Sequence, residues 1–368
     1  MPLWTDKKLL VVVGPGGVGK TTISASLALA SAASGLSTLV LTVDPSKRLA
    51  QAMSVDANTT APQRIPKNYL EQHGLALAKP LDVLILQPKS VFDALVEQAI
   101  ADKNKRQLIY DNPIYLHFST QLAGAHDYAA VQKLHEITQS NAYDLIIVDT
   151  PPAQNAVDFL SAPTRIADFF EQTMLQWFLK SARAMNKKSF GLLSWGSHLL
   201  MSALAKLAGG DTIHVLTEFL LHFEGIYEMI QKHARAVEEL LLSADSGFII
   251  VTSPQYHHAH IAWDFYQKLT AMNYFLQAVV VNRVHTVPHP QDVLEHWQKH
   301  KLIQQQLGVY AVEATSLLQQ ELQRVAFDQT QIQTWNKMYS RPIKAIRELP
   351  HDVCDLEALV AVYKALLT

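Results

Sequence analysis

The chain has 368 residues, 49% of them hydrophobic, with a single cysteine, and its 31 Lys and Arg against 33 Asp and Glu leave a formal charge of −2. That length and apolar content suit one large α/β domain or two smaller ones around a packed core, and the near-balance of charge excludes the global basic field that draws a protein to nucleic acid or acidic membranes. With Cys354 alone, an internal disulfide and a thiolate metal cluster are excluded, and a reducing, cytosolic setting is the expectation.

The first apolar run, Leu9–Val13, is too short for a signal peptide and leads directly into Gly14, Pro15, Gly16, Gly17, Val18, Gly19, Lys20, Thr21 and Thr22. Two glycines with four residues between them, then Lys and Thr, fit a phosphate-binding loop. A helix-favouring stretch at 23–33 completes the strand, loop and helix that such a loop requires. Glycines let the backbone wrap around phosphate oxygens with N–H groups pointing inward, and the helix N-terminus adds partial positive charge. Lys20 then reaches the β- and γ-phosphates, the Thr21 hydroxyl coordinates Mg²⁺, and Thr22 is a further phosphate donor. A glycine-rich turn with no ligand has no need of Lys20.

A second strand is expected at 37–43, running into Asp44, Pro45, Ser46, Lys47 and Arg48. Residues 54–80 carry Pro62, Pro66 and Pro80 and read as an irregular connection before a strand at 82–87. Helices follow at 91–110 and 125–140. Four apolar residues, Leu145 to Val148, then end in Asp149, Thr150, Pro151 and Pro152. An acid at the end of a buried parallel strand holds Mg²⁺ or its water in phosphate-loop proteins, so Asp149 joins Thr21 as a metal candidate. No strand is expected in 160–244. Within 212–242 an apolar seam of three- and four-residue steps includes Tyr227, Ile230, Ala234, Val237 and Leu241. Upstream, Met174, Trp177, Phe178, Trp195 and Met201 supply more apolar surface than one neighbouring helix consumes, which is compatible with a self-packed helical subdomain or with a groove for an apolar partner. The longest uncharged stretch there, 189–205, falls short of the roughly 20 residues a membrane span needs.

Strand and helix alternation resumes with strands at 247–252 and 277–281, the latter ending in Asn282, and a helix at 259–272 between them. Helices at 291–306 and 315–324 flank a strand at 309–312, and a last helix covers 356–367. The fold class is therefore α/β: a phosphate-loop nucleoside-triphosphatase (P-loop NTPase) fold with a mainly parallel sheet covered by helices, at 1–159 and 246–368, plus an inserted all-helical subdomain at 160–245. Gly14, Asp44, Asp149 and Asn282 all fall at carboxyl ends of strands, where such sheets bind ligands. His257, His258 and His260, and the pair His296 and His300 at helical spacing, lack an adjacent carboxylate or cysteine pattern and read as surface histidines.

Taken in order, Gly16 to Thr22, Asp44 with Pro45, Asp149 to Pro152, and Val279 to Val281 with Asn282 resemble the arsenite-pump ATPase and tail-anchored-protein targeting ATPase family. The stretch Asp158, Phe159, Leu160, Ala162 and Pro163, with Leu349 and Pro350 near Asp355, resembles its bacterial branch. The resemblance implies ATP and Mg²⁺ as cofactors. It makes Lys20 and Asp44 the catalytic pair, with Asp44 positioning the attacking water, and Asp149 the start of a second switch loop. Asn282 is then placed on adenine, and Pro350 in a loop against the base. It also implies a homodimer at some stage of the cycle, and a hydrophobic client helix or membrane-protein partner at 160–245.

The departures are specific. The family loop usually has lysine at position 15, reaching the partner subunit's phosphates, and here that residue is Pro15, which offers neither charge nor N–H. Lys47, Arg48 or Arg165 is a candidate replacement cation. Asn155 stands where a histidine is common, and the cysteines of metalloid pumps and of zinc-bridged targeting dimers are absent. Three readings follow: an ATPase switch that handles a client, a nucleotide-binding regulatory or scaffold protein with little hydrolysis, and a partitioning-type ATPase. The last lacks the basic patch or amphipathic anchor that would hold it to DNA or a membrane.

Overall fold

The computed structural model of the protein describes residues 2–43, 48–120, 125–151, 161–162, 164, 224–287, 289–353 and 355–367. Its strands are β1 (Leu9–Val13), β2 (Thr38–Thr42), β3 (Gln63–Arg64), β4 (Leu81–Ile85), β5 (Leu145–Asp149), β6 (Ser246–Thr252), β7 (Leu276–Val284) and β8 (Ile343–Arg347). They form a single sheet in the order β3-β4-β2-β5-β1-β6-β7-β8. Every pairing is parallel except that of β3 with β4. The apolar strands β1, β2, β4, β5 and β6 are buried along their whole length, as expected when helices cover both faces of a parallel sheet.

Alternation along each strand sends neighbouring side chains to opposite faces. Leu9, Val11, Leu39, Ile146, Val148 and Phe248 share one core. It is closed by α4 (Pro88–Ala99), α7 (Ala125–Ser140), α8 (Glu224–Leu242) and α9 (Tyr256–Ala271). Leu10, Val12, Val40, Ile147 and Ile249 share the other, under α1 (Lys20–Ala33), α2 (Arg48–Met53) and α13 (Leu356–Leu367). The remaining helices are α3 (Lys67–Gln72), α5 (Lys103–Tyr110), α6 (Pro113–Thr120), α10 (Pro290–Lys299), α11 (Lys301–Leu307) and α12 (Tyr310–Met338).

Several sequence expectations change, among them the helix expected at 291–306, which is α10 and α11 separated at His300. The helix expected at 91–110 is two helices, because the chain turns extended at Ile100 and Asp102 caps α5 by accepting from the Asn104 N–H. The irregular connection at 54–80 contains β3 and α3. The strand expected at 309–312 does not form. Val309 and Val312 are exposed and β-branched, but no strand lies beside them, and residues 310–312 are instead the first turn of the long helix α12. Conversely, β8 was hidden by its charges: of Ile343, Lys344, Ala345, Ile346 and Arg347 only Ile346 is buried, the composition of an edge strand.

The seam of α8 meets the core through Ile226, Ile230, Ala234, Val237 and Leu241, so this last helix of the 160–245 stretch packs on α7 and α4. Polar groups join in. The His135 and His233 rings stack with centroids 3.8 Å apart, and His233 Nδ1 and Gln132 Oε1 lie 2.7 Å apart. Burial, aided by His135 and Lys232, pushes His233 down to about 4. Because the folded value lies below the ordinary one, the unfolded chain takes up the proton first. Stability is therefore complete above about pH 6.5 and falls as pH drops towards 4. Allowing for solvent screening, the loss is on the order of 1–2 kcal/mol. The H233Q variant is expected to lose less of its melting temperature than the parent between pH 7 and 4.5, and equal losses would contradict the assignment.

Candidate active site

The loop between β1 and α1 has little freedom. A Cβ on Gly14 would stand 2.0 Å from the Val251 carbonyl oxygen of β6, so only glycine lets the loop leave the sheet there. Gly17 (φ 77°) and Gly19 (φ 93°) adopt the left-handed backbone, and Gly19 caps α1 with no side-chain hydrogen bond and no acid in the first turn. The N–H groups that open α1 therefore face outward with their partial positive charge, the arrangement that suits an anion. Lys20 is buried, and its Nζ donates to the carbonyls of Gly14 (3.1 Å) and Pro15 (3.0 Å), closing the loop on itself. The G14A variant is expected to lose about 3 kcal/mol of stability, since the clash is with backbone rather than a movable side chain. An unchanged denaturation midpoint would contradict this.

Asp149 ends β5 and is fully buried. Its carboxylate accepts from the hydroxyls of Thr21 (2.7 Å), Thr42 (3.1 Å) and Ser24 (3.3 Å). Parallel register explains the meeting: Asp149 lies beside Val12 of β1 and Thr42 of β2, so the acid arrives between the loop and the end of the neighbouring strand. The hydroxyl of Thr21 and the carboxylate of Asp149 thus form a paired hard-oxygen donor set of the kind that binds Mg²⁺ directly or through water. The Val43 N–H donates to the Asp149 carbonyl, and the Thr150 hydroxyl donates to that of Val12. Ser24 and Thr42 carried no signal in the sequence. They are recognisable only once the register brings them to Asp149.

Asn282, near the end of β7, donates its Nδ2 to the Val18 carbonyl at 2.8 Å, and a Cβ on Gly19 would collide with that same nitrogen. The amide is thus braced against the loop, with Oδ1 the atom placed to accept from a ligand amine. A cleft of about 760 Å³ opens here, bounded by the loop, by Asn282 and Arg283, and by Leu349, His351 and Asp352 after β8. Gly17, Gly19, Lys20, Thr21 and Thr22 line it. Gly16 is exposed and Val18 buried beside them, and Pro350 is exposed between the lining residues Leu349 and His351. On the sequence expectation that Asn282 meets adenine, the N282A variant should bind ATP about tenfold more weakly and discriminate less between ATP and GTP. An unchanged preference would remove Asn282 from base recognition.

Asp44, Pro45, Ser46, Lys47, Pro152, Asn155 and all of 165–223, Arg165 included, lie outside the described residues, as does the side chain of Arg48. Among the described residues no group of three His, Cys, Asp or Glu could hold a metal, and no helix is long and apolar enough to cross a membrane. His258 meets the Ser253 hydroxyl (2.7 Å), and the His296 and His300 rings lie 5.7 Å apart.

Comparison with known proteins supplies the family. The sequence model of the anion-transporting ATPase family matches residues 7–326. An uncharacterized protein of Streptomyces coelicolor is 31% identical over 159 residues, 43% of this chain and 38% of that protein. The ATPase GET3 of Malassezia globosa is 23% identical over 79% of this chain and 76% of its own length. The ATPase ARSA2 of Chlamydomonas reinhardtii is 25% identical over 76% and 68%. The match with the Streptomyces protein thus spans well under half of that relative's length.

Proposed function

This chain belongs to the anion-transporting ATPase family, and from that premise we propose that it is a cytosolic, Mg²⁺-dependent ATP hydrolase that couples hydrolysis to handling of a hydrophobic client or protein partner. The observation that carries the reading is the convergence of the glycine loop, Lys20 and the Thr21–Asp149 pair beside one cleft. Loop N–H groups and Lys20 hold the phosphates, and Asn282 takes the base edge. Thr21 and Asp149 would hold Mg²⁺, which supplies neutralisation of phosphate charge. Fixed donors of this kind stabilise developing charge without reorganising. Asp44 is proposed to orient the attacking water.

Asp149 is the proposed link between nucleotide state and the chain beyond Thr150, through a second switch loop. The division into a core at 1–159 and 246–368 and a helical insert at 160–245 remains part of the proposal. Because the seam of α8 is spent on the core, we place the client-facing surface on the part of that insert preceding α8. A second reading, a nucleotide-binding scaffold with little turnover, is favoured by Pro15, which is buried and brings no cation to the loop. Molar mass measured in the apo, ADP and non-hydrolysable ATP states, alongside turnover, separates the two. The hydrolase reading expects turnover and an ATP-favoured dimer. A monomer that binds ATP without hydrolysing it supports the scaffold.

A further inference from the structure

Beside the nucleotide cleft lies a second cavity that shares Arg283 and Glu348 with it and is otherwise lined by residues such as Ser253, His285, Arg324 and Asp328. His285, the first residue after β7, crosses it. Its backbone N–H donates to Asp328 Oδ2 at 2.8 Å, and its Nδ1 lies 2.8 Å from the same oxygen. On the other side its Nε2 lies 3.2 Å from Glu348 Oε2. Both ring nitrogens thus face carboxylate oxygens, one on α12 and one just after β8.

Asp328 is the anchor. It is buried on α12, where a carboxylate is tolerated only with partners, and apart from Val325 and Trp335 it is the only buried side chain of that 29-residue helix. Glu348 is the other end of the bridge. It is half-exposed, follows β8, donates its N–H to the Val284 carbonyl, and begins the segment whose Leu349, His351 and Asp352 line the nucleotide cleft. His285 itself does not line that cleft.

We propose that His285 is a positioning residue which, by bridging Asp328 and Glu348, holds the base-side wall of the nucleotide cleft against α12. This rests on the nucleotide-binding reading above. The bridge sets the place of residues 348–353 and so acts on the nucleoside end of the ligand, whereas the glycine loop and Lys20 act on the phosphates. It also ties that wall to a helix whose first half is largely exposed, with Tyr310, Val312 and Leu317 facing outward.

The test uses the full chain and two probes in the presence of Mg²⁺: ATP, and inorganic tripolyphosphate, which has no base or ribose. The expected result is that H285Q and E348A each weaken ATP binding about five- to tenfold and leave tripolyphosphate binding within about twofold. The double variant should be no weaker than E348A alone, because the two changes break one link. E348A alters a half-exposed side chain and keeps the test open if H285Q folds poorly. Unchanged ATP affinity in both variants overturns the proposal. So does an equal loss for both probes, which would mean general damage to the cleft. If the unaltered chain binds neither probe, the nucleotide reading itself fails, and the bridge with it.

Discussion

The K20A variant is expected to lose ATP turnover by about 10²–10³-fold while remaining folded. Lys20 has two jobs with different magnitudes. In the structure its Nζ donates to the Gly14 and Pro15 carbonyls, and losing two such bonds costs on the order of 1–2 kcal/mol of stability, a fraction of the 5–15 kcal/mol of an ordinary domain. In the proposed catalysis it would be the loop's charged donor at the transferring phosphate. A fixed charge at that position is worth about 3–4 kcal/mol of transition-state stabilisation. Turnover should therefore collapse well before stability does. Phosphate release compared with the denaturation midpoint of the same preparation checks both. A variant with normal turnover would show that the loop does not act on the reacting phosphate.

Replacing Asp149 is expected to do the reverse and strike folding as hard as chemistry. The D149A variant leaves the hydroxyls of Thr21, Thr42 and Ser24 without their shared acceptor. Ser24 can turn back to a carbonyl of its own helix, whereas Thr42 is buried at the end of a strand. The combined cost is about 3–5 kcal/mol, enough to unfold a marginal protein. D149N keeps the shape and one accepting oxygen, so it should lose roughly half as much. Both variants should lose Mg²⁺-stimulated turnover, since alanine offers the cation no ligand and asparagine lacks the negative charge that favours a hard dication. Urea denaturation orders the three proteins, and a D149A midpoint equal to the parent's would show that the acid's buried contacts are dispensable.

The elements of the site differ in how visible they were beforehand. The loop, β1, β5, α7 and α13 have local signals: glycine spacing, unbroken apolar runs made necessary by helices on both faces, and strong helix formers. The partners of Asp149 were invisible because Ser24 and Thr42 reach it from two other elements, and only the parallel register of β5 with β1 and β2 brings them together. The same holds for the bridge from Asp328 through His285 to Glu348, whose members lie on α12 and beyond the ends of β7 and β8. That region was also the one misread. A β-branched run at 309–312 suggested a strand, and a charged edge strand at 343–347 gave no apolar run at all. Asn282 was expected at the carboxyl end of its strand, but its grip on the Val18 carbonyl depends on Gly19 lacking a side chain, a condition that spacing alone does not reveal.

The central claim, that this loop and Asp149 form a working hydrolase site in spite of Pro15, is tested most directly by steady-state phosphate release from ATP by the full chain, with Mg²⁺ and with the metal chelated. The account predicts release that requires Mg²⁺ and disappears in K20A. Release that persists without the metal or in K20A, or no release from a protein that binds ATP, would contradict it.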